Sequence, residues 1–158
     1  MTSVQSNGIT TEYEECGAGE PLLLIMGLNG QLIDWPAGFV DALAERGFRV
    51  IRFDNRDAGL STEIDAPAPT PARIARAAVL HRVPEAAYTI PDLARDAVGL
   101  LDALGVESAH VVGMSMGGMI AQQLAIDFPE RVRSLTSIMS TTGNPRVGRP
   151  KPMVVWHF

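Results

Sequence analysis

The chain has 158 residues, 46% hydrophobic and 20% charged, which is the composition of one globular domain with a hydrophobic core. A net charge of −5 gives no support for nucleic-acid binding, and no apolar run approaches the roughly 18 residues of a membrane span. A single cysteine, Cys16, excludes an internal disulfide, and with a polar start that lacks a signal core it favours a cytoplasmic protein.

The first part of the chain alternates between strand and helix patterns. Three strands are predicted here, at residues 9–15, 21–26 and 48–53. Asn7-Gly8 before the first of them is a hairpin turn signal, which indicates a short partner strand. Between the second and third strands we predict a helix with Asp34 as its cap, Pro36 in its first turn and Gly47 as its end.

The second part continues the alternation after a segment that is hard to assign. The sequence of residues 62–88 indicates no clear helix or strand except a short helix at 72–79. Thr89, followed three residues on by Asp92, predicts the cap of a helix that ends at Gly105. The last predicted elements are a strand at 109–114, a helix at 117–128 and a strand at 132–139. Repeated strand–helix units predict a parallel sheet with helices on both faces and its chemistry at the carboxyl ends of the strands.

One motif at such a strand end indicates catalysis. Residues 113–117 read Gly-Met-Ser-Met-Gly, a G-x-S-x-G match that lies between a predicted strand and a predicted helix. This is the context of a nucleophile elbow, so Ser115 is the candidate nucleophile. Gly113 and Gly117 would let the strand and the helix approach closely. The alternative is a glycine-rich strand-to-helix turn with a bystander serine.

Acyl transfer at a serine also needs two hydrogen-bond donors for the oxyanion. The first candidate is the backbone N–H of Met116, at the start of the helix. The second is the N–H of Leu28, in the loop that follows the earlier apolar strand, where Gly27 would permit a tight turn. A plain glycine-rich turn would have the same sequence, so both interpretations stay open.

Several spaced motifs resemble a known family. They lie at residues 22–27 (LLLIMG), 35–36 (WP), 50–61 (VIRFDNRDAGLS) and 110–118 (HVVGMSMGG). Together they resemble the α/β-hydrolase superfamily and, within it, the aclacinomycin-methylesterase-like esterases. Two positions depart from most of the superfamily: Asp57 stands where most members have glycine, and Met26 stands where many have histidine. The resemblance implies a mainly parallel α/β-hydrolase sheet with helices on both faces and an N-terminal hairpin.

The resemblance also implies a mechanism. It assigns the nucleophile and the two oxyanion donors to the residues named above, and it implies hydrolysis of small carboxylic esters, including methyl esters, through an acyl-enzyme. Asp54, Arg56 and Gly59 match a structural loop beneath the site, which argues against catalysis by Asp54 or Asp57. No cofactor, metal, nucleic-acid or membrane partner is expected. Dehalogenases and epoxide hydrolases with an aspartate nucleophile are disfavoured because Ser115 stands at that position.

The other two members of a serine triad are harder to find. In this family they follow the serine in the order acid, then histidine, and 43 residues follow Ser115 (158 − 115). The acids in that stretch, Asp127 and Glu130, lie in or beside the elbow helix, where an exposed structural role is the simpler interpretation. The histidines are His81, His110 and His157. A histidine one residue from the end is poorly held for general-base work.

We therefore expect the triad acid and histidine to be absent from the chain. Residues 1–152 are expected to form a truncated core without the last strands and the cap, and residues 153–158 a tail unlike the family. Two alternatives to an esterase stay open, a non-catalytic remnant of the fold and a cofactor-free peroxidase-like relative. The sequence does not determine the substrate or the oligomeric state.

Overall fold

The computed structural model describes residues 2–66 and 86–144, and between them Thr70, Ala72, Arg76, Val79 and Leu80. The strands of this described part are β1 (Thr2–Ser6), β2 (Ile9–Cys16), β3 (Glu20–Ile25), β4 (Phe48–Phe53), β5 (Ala109–Met114) and β6 (Val132–Ile138). Its α-helices are α1 (Ala37–Ala44), α2 (Ile90–Ala103) and α3 (Met116–Asp127), with 3-10 turns at Leu32–Asp34 and Pro129–Arg131. The predicted helix at 72–79 and the tail at 153–158 lie largely or wholly outside the described residues.

The strands form one mixed sheet in the order β1-β2-β4-β3-β5-β6. The β1–β2 and β2–β4 pairs are antiparallel, whereas β4, β3, β5 and β6 run parallel. Asn7 and Gly8 make the β1–β2 turn with φ values of 46° and 77°, the left-handed values of a tight hairpin. The predicted hairpin and the mainly parallel α/β sheet are confirmed.

Helices cover both faces of the central strands. Along β3, Leu23 and Ile25 pack into a cluster with residues of α2 and α3, while Leu22 and Leu24 pack with Val40 of α1. These four β3 side chains, from Leu22 to Ile25, are each at most 4% exposed. The continuous apolar run is therefore that of a parallel strand buried on both faces, as the sequence predicts.

Of the two predicted helix caps, one is confirmed and the other is wrong. Thr89 and Asp92 form the predicted capping box of α2, with the Thr89 N–H donating to Asp92 Oδ2 at 2.7 Å. Asp34 does not cap α1, so that prediction is wrong: Pro36 is the N-cap, and Asp34 Oδ2 accepts the N–H of Gln31 at 2.8 Å within a 3-10 turn. The reason is that a proline forces the preceding residue into an extended conformation, and Trp35 has ψ 118°.

Strands β4 and β5 have the predicted bounds, the other predicted strands and α3 differ by one residue at one or both ends, and α1 ends at Ala44 rather than at Gly47. Strand β6 ends at Ile138 rather than at 139 because Met139 takes a left-handed φ of 47°. No α-helix among the described residues is long and apolar enough to cross a membrane. The same described residues contain no group of three His, Cys, Asp or Glu side chains that could hold a metal ion.

Candidate active site

Ser115 occupies the sharp turn between β5 and α3, at the carboxyl end of the parallel strands. Its φ of 55° and ψ of −120° are a strained combination for a residue with a side chain, with a cost of about 1–3 kcal/mol. Backbone hydrogen bonds fix this geometry: the Ser115 N–H donates to Ile138 O at 2.9 Å, and Gly118 N–H donates to Ser115 O at 3.0 Å. The residue is exposed above the sheet edge.

Glycines surround the turn because neighbouring backbones come too close for a Cβ atom. A Cβ on Gly113 would overlap the carbonyl oxygen of Gly117, and one on Gly117 would overlap that of Ile25. A Cβ on Gly27 would lie 3.0 Å from Ser115 Cβ. Gly27 does not take a left-handed φ, so glycine is needed there for close approach to Ser115 rather than for the expected tight turn.

The loop after β3 faces this turn. The N–H of Gly30 donates to Gly27 O at 3.1 Å, which closes a four-residue turn with Asn29 at φ 57°. Strands β3 and β5 are neighbours, and Leu28 and Met116, the two candidate oxyanion residues, line one cavity of about 90 Å³. The two residues that carry the candidate donors therefore border the same small space.

The loop after β4 is held by its own carboxylate. Asp54 is 3% exposed, and its oxygens accept the N–H of Leu32 at 2.6 Å and of Leu60 at 3.0 Å. Gly59 takes φ 54° and lies so close to the Asp54 carboxylate that a Cβ would overlap it. The contacts match the loop-fixing role expected for Asp54.

A buried ion pair joins this loop to α2. Arg56 donates from Nε and Nη2 to the two oxygens of Asp96, each at 2.6 Å, and the hydrogen bonds raise the pKa of Arg56. Asn7 adds a third donor to Asp96 at 2.6 Å, and the Arg56 guanidinium lies 5.2 Å from the centre of the Tyr88 ring. Asp96 is 1% exposed and was not predicted. The signal that could have found it is its position next to the apolar stripe that contains Leu93 and Ala97, because a buried acid needs a partner; the identity of that partner has no local signal.

Asp57 also serves the loop. Its φ of 61° explains why most of the resembling family has glycine here, since aspartate is among the few other residues that adopt this conformation readily. Asp57 Oδ1 accepts the N–H of Ile64 at 2.6 Å. Burial, followed by a hydrogen bond to Asp57, raises the pKa of Tyr88 to about 12. Both contacts hold the loop, and a structural role for Asp57 stays the prediction.

The remaining titratable candidates lie away from Ser115. His110 is the second residue of β5, about 16 Å along the strand from Ser115 at 3.3 Å per residue, and its Nδ1 lies 2.7 Å from Ser134 Oγ. Asp127 is exposed and accepts a hydrogen bond from Gln123 at 2.8 Å. His81 and His157 lie outside the described residues. Within the part of the chain that the structure describes, no imidazole stands beside the serine.

These features define the class of protein. The sequence model of the alpha/beta hydrolase fold family matches residues 20–156, which is most of the chain. The chain therefore belongs to the α/β-hydrolase family.

Individual proteins within this family are similar to the chain in sequence or in structure. The chain is 43% identical over 122 residues to rhodomycin D methylesterase DauP of Streptomyces sp. (strain C5), covering 77% of this chain and 35% of that protein. It is 38% identical over 120 residues to the putative carbamate hydrolase RutD of Variovorax paradoxus, covering 76% and 38%. A solved hydrolase from Pseudomonas aeruginosa superposes with a TM-score of 0.71 at 29% identity, covering 99% of this chain and 49% of that one. The chain thus spans about a third of the length of these curated relatives and about half of the solved one.

Proposed function

We propose that Ser115 is the nucleophile of a serine-dependent hydrolase that cleaves carboxylic esters through an acyl-enzyme. The observation that carries the proposal is the strained, exposed Ser115 on the strand-to-helix turn, beside a cavity lined by both Leu28 and Met116. Among similar proteins, the methylesterase is named for hydrolysis of a methyl ester, which favours methyl esters as the first substrates to test.

The proposed chemistry follows from the turn. Ser115 Oγ attacks the ester carbonyl carbon while its proton passes to a base, and the carbonyl oxygen becomes an oxyanion that accepts hydrogen bonds from the N–H groups of Leu28 and Met116. Collapse of this intermediate breaks the bond to the alcohol, which leaves with the proton. Water then attacks the acyl-enzyme by the same route and releases the carboxylic acid.

The rate of ester hydrolysis by the 158-residue polypeptide depends on whether a base accepts the proton of Ser115. An alcohol is a weak nucleophile at neutral pH without a base, and none of the described residues places an imidazole beside Ser115. Oxyanion donors and binding alone leave roughly 10³-fold acceleration over water. We therefore expect little ester turnover from this polypeptide, and only a slow reaction of Ser115 with a strong electrophile supplied in excess.

The test measures turnover and covalent modification separately. Purified protein is assayed with p-nitrophenyl acetate, and a fluorophosphonate adduct is followed by intact mass. Ser115→Ala should abolish the adduct. Ser137→Ala, the same change on the neighbouring strand β6, should form it at the rate of the unmodified protein. An adduct that persists in Ser115→Ala, or none in the unmodified protein, would contradict the assignment of the nucleophile.

Histidine variants test the expectation of low turnover. Near-background hydrolysis in the unmodified protein, His81→Ala and His157→Ala alike would support it. Robust hydrolysis that disappears in Ser115→Ala and His157→Ala would identify His157 as the base, and the expectation would be wrong. Hydrolysis lost in Ser115→Ala and His81→Ala would instead identify His81.

A further inference from the structure

The carbonyl of Met26 is the last acceptor before the loop that carries Leu28. It accepts a hydrogen bond from Asn55 Nδ2 at 3.1 Å in the protein interior. Asn55 is 3% exposed and lies two residues after the end of β4, the strand next to β3. Because a carbonyl oxygen is an acceptor and never a donor, this contact fixes which end of the Asn55 amide faces Met26.

A second contact holds the other end of the same loop. Asp54, the residue before Asn55, accepts the N–H of Leu32 at 2.6 Å. Two consecutive residues after β4 thus hold the backbone on both sides of residues 27–30. The Met26 carbonyl oxygen also lies close to Gly117 of the elbow helix, because a Cβ built on Gly117 would be 2.7 Å from it.

The direction of the Met26 carbonyl determines the start of the loop. The peptide unit between Met26 and Gly27 is planar and trans, so the Gly27 N–H points opposite to the Met26 C=O. Rotation of that unit would turn the following peptide, which carries the Leu28 N–H. Asn55 lines the same cavity of about 90 Å³ as Leu28 and Met116, so its amide sits beside the loop that it contacts.

We propose that Asn55 is a positioning residue that aims the Leu28 N–H at the oxyanion by holding the Met26 carbonyl. The proposal rests on the proposed function, because it matters for catalysis only if Leu28 is an oxyanion donor. Within the described residues, Asn55 Oδ1 has no hydrogen-bond partner. In this part of the chain, the amide therefore acts through the hydrogen bond from Nδ2 to Met26. A positioning role requires such a directed contact, whereas a role in packing alone does not.

The test replaces the donor with one that pH controls. In Asn55→Asp the ionised carboxylate repels the Met26 oxygen, whereas the protonated acid donates its O–H and restores the bond. Burial raises the pKa of such a carboxyl, so the change is expected between about pH 8 and about pH 5. Asn55→Leu is the matched control, because leucine has a similar shape and donates at no pH. The neighbouring ionisable groups, Asp54, Arg56 and Asp57, are the same in every variant.

Two readouts are compared with the unmodified protein at each pH. The first is the ¹⁵N–¹H resonance of the Leu28 amide, which does not depend on Ser115 chemistry. We expect it to shift in both variants at high pH and to return toward its original position at low pH only in Asn55→Asp. The second is the rate of Ser115 modification by the fluorophosphonate, expected to fall about 100-fold in Asn55→Leu and to recover at low pH in Asn55→Asp.

The outcomes separate this proposal from the proposed function. A Leu28 resonance that stays in place in both variants would overturn the positioning role, as would a collapsed spectrum in both, because Asn55 would then be holding the whole fold. A resonance that responds as expected, in a protein whose Ser115 never reacts, would support Asn55 as the residue that positions the loop and would contradict Ser115 as the nucleophile.

Discussion

Removal of the Asp96 carboxylate should be among the most destabilising single changes in the described part of the chain. Asp96 is 1% exposed and accepts three hydrogen bonds of 2.6 Å, two from Arg56 and one from Asn7. The Arg56 side chain is 12% exposed, so Asp96→Ala leaves a nearly buried positive charge without its partner. Breaking a buried pair in this way costs about 3–5 kcal/mol in the free energy of unfolding.

The assay is urea unfolding followed by circular dichroism, with a matched control on the same helix. Asp102 pairs with Arg131 at 2.7 Å but its side chain is 62% exposed, so Asp102→Ala should cost at most about 1 kcal/mol. Equal losses in the two variants would refute the reasoning, because burial would then not determine the strength of the pair. So would an Asp96→Ala protein that loses less than about 1 kcal/mol.

Three further predictions concern a cap, a phenol and two glycines. Hydrogen bonds from Thr89, the N-cap residue, lower the pKa of Asp92 below 3.8. Asp92→Ala should therefore lower the free energy of unfolding by about 1 kcal/mol at neutral pH, and the difference from the unmodified protein should disappear as the pH falls below 3.8. Burial raises the pKa of Tyr88 to about 12, so absorbance should detect its ionisation near pH 12. Because the phenol of the unfolded chain ionises near 10.0, the free energy of unfolding should fall between pH 10.0 and about 12. Gly113→Ala should cost about 1–3 kcal/mol by thermal unfolding, because its Cβ overlaps backbone, whereas Gly38→Ala, with open space in α1, should stabilise by about 0.5–1 kcal/mol.

Features that depend on neighbouring residues were predictable from the sequence. The Asn7-Gly8 hairpin, the Thr89 and Asp92 capping box and the boundaries of β5 each follow from a few adjacent residues. The position of Ser115 on its turn was predictable for the same reason, since the motif and both flanking elements are contiguous. Its role in catalysis stays a prediction, because the position of a serine does not identify the base that activates it.

Features that depend on distant residues were not predictable. Asp96 is paired with Arg56, forty residues away, and Asn55 reaches the carbonyl of Met26, twenty-nine residues away. The partner in each contact has no local pattern, because the long connections between parallel strands separate in the chain residues that the fold brings together. The reason for glycine at position 27 was hidden in the same way, since its close neighbour is Ser115, on the turn after another strand.

The geometry of the candidate nucleophile depends on the most exposed strand of the sheet. Among the described residues, strand β6 pairs with β5 on one side only, and the five residues between its half-buried ends are exposed. Its last residue, Ile138, nevertheless accepts the Ser115 N–H, and Ser140 just beyond it lies against Gly118, where a Cβ would come within 2.5 Å of Ser140 Cβ. A strained backbone persists only while its surroundings enforce it. Loosening of β6 would therefore let Ser115 relax before the buried strands β3 and β4 are disturbed, which makes the stability of this edge a condition for any activity at the turn.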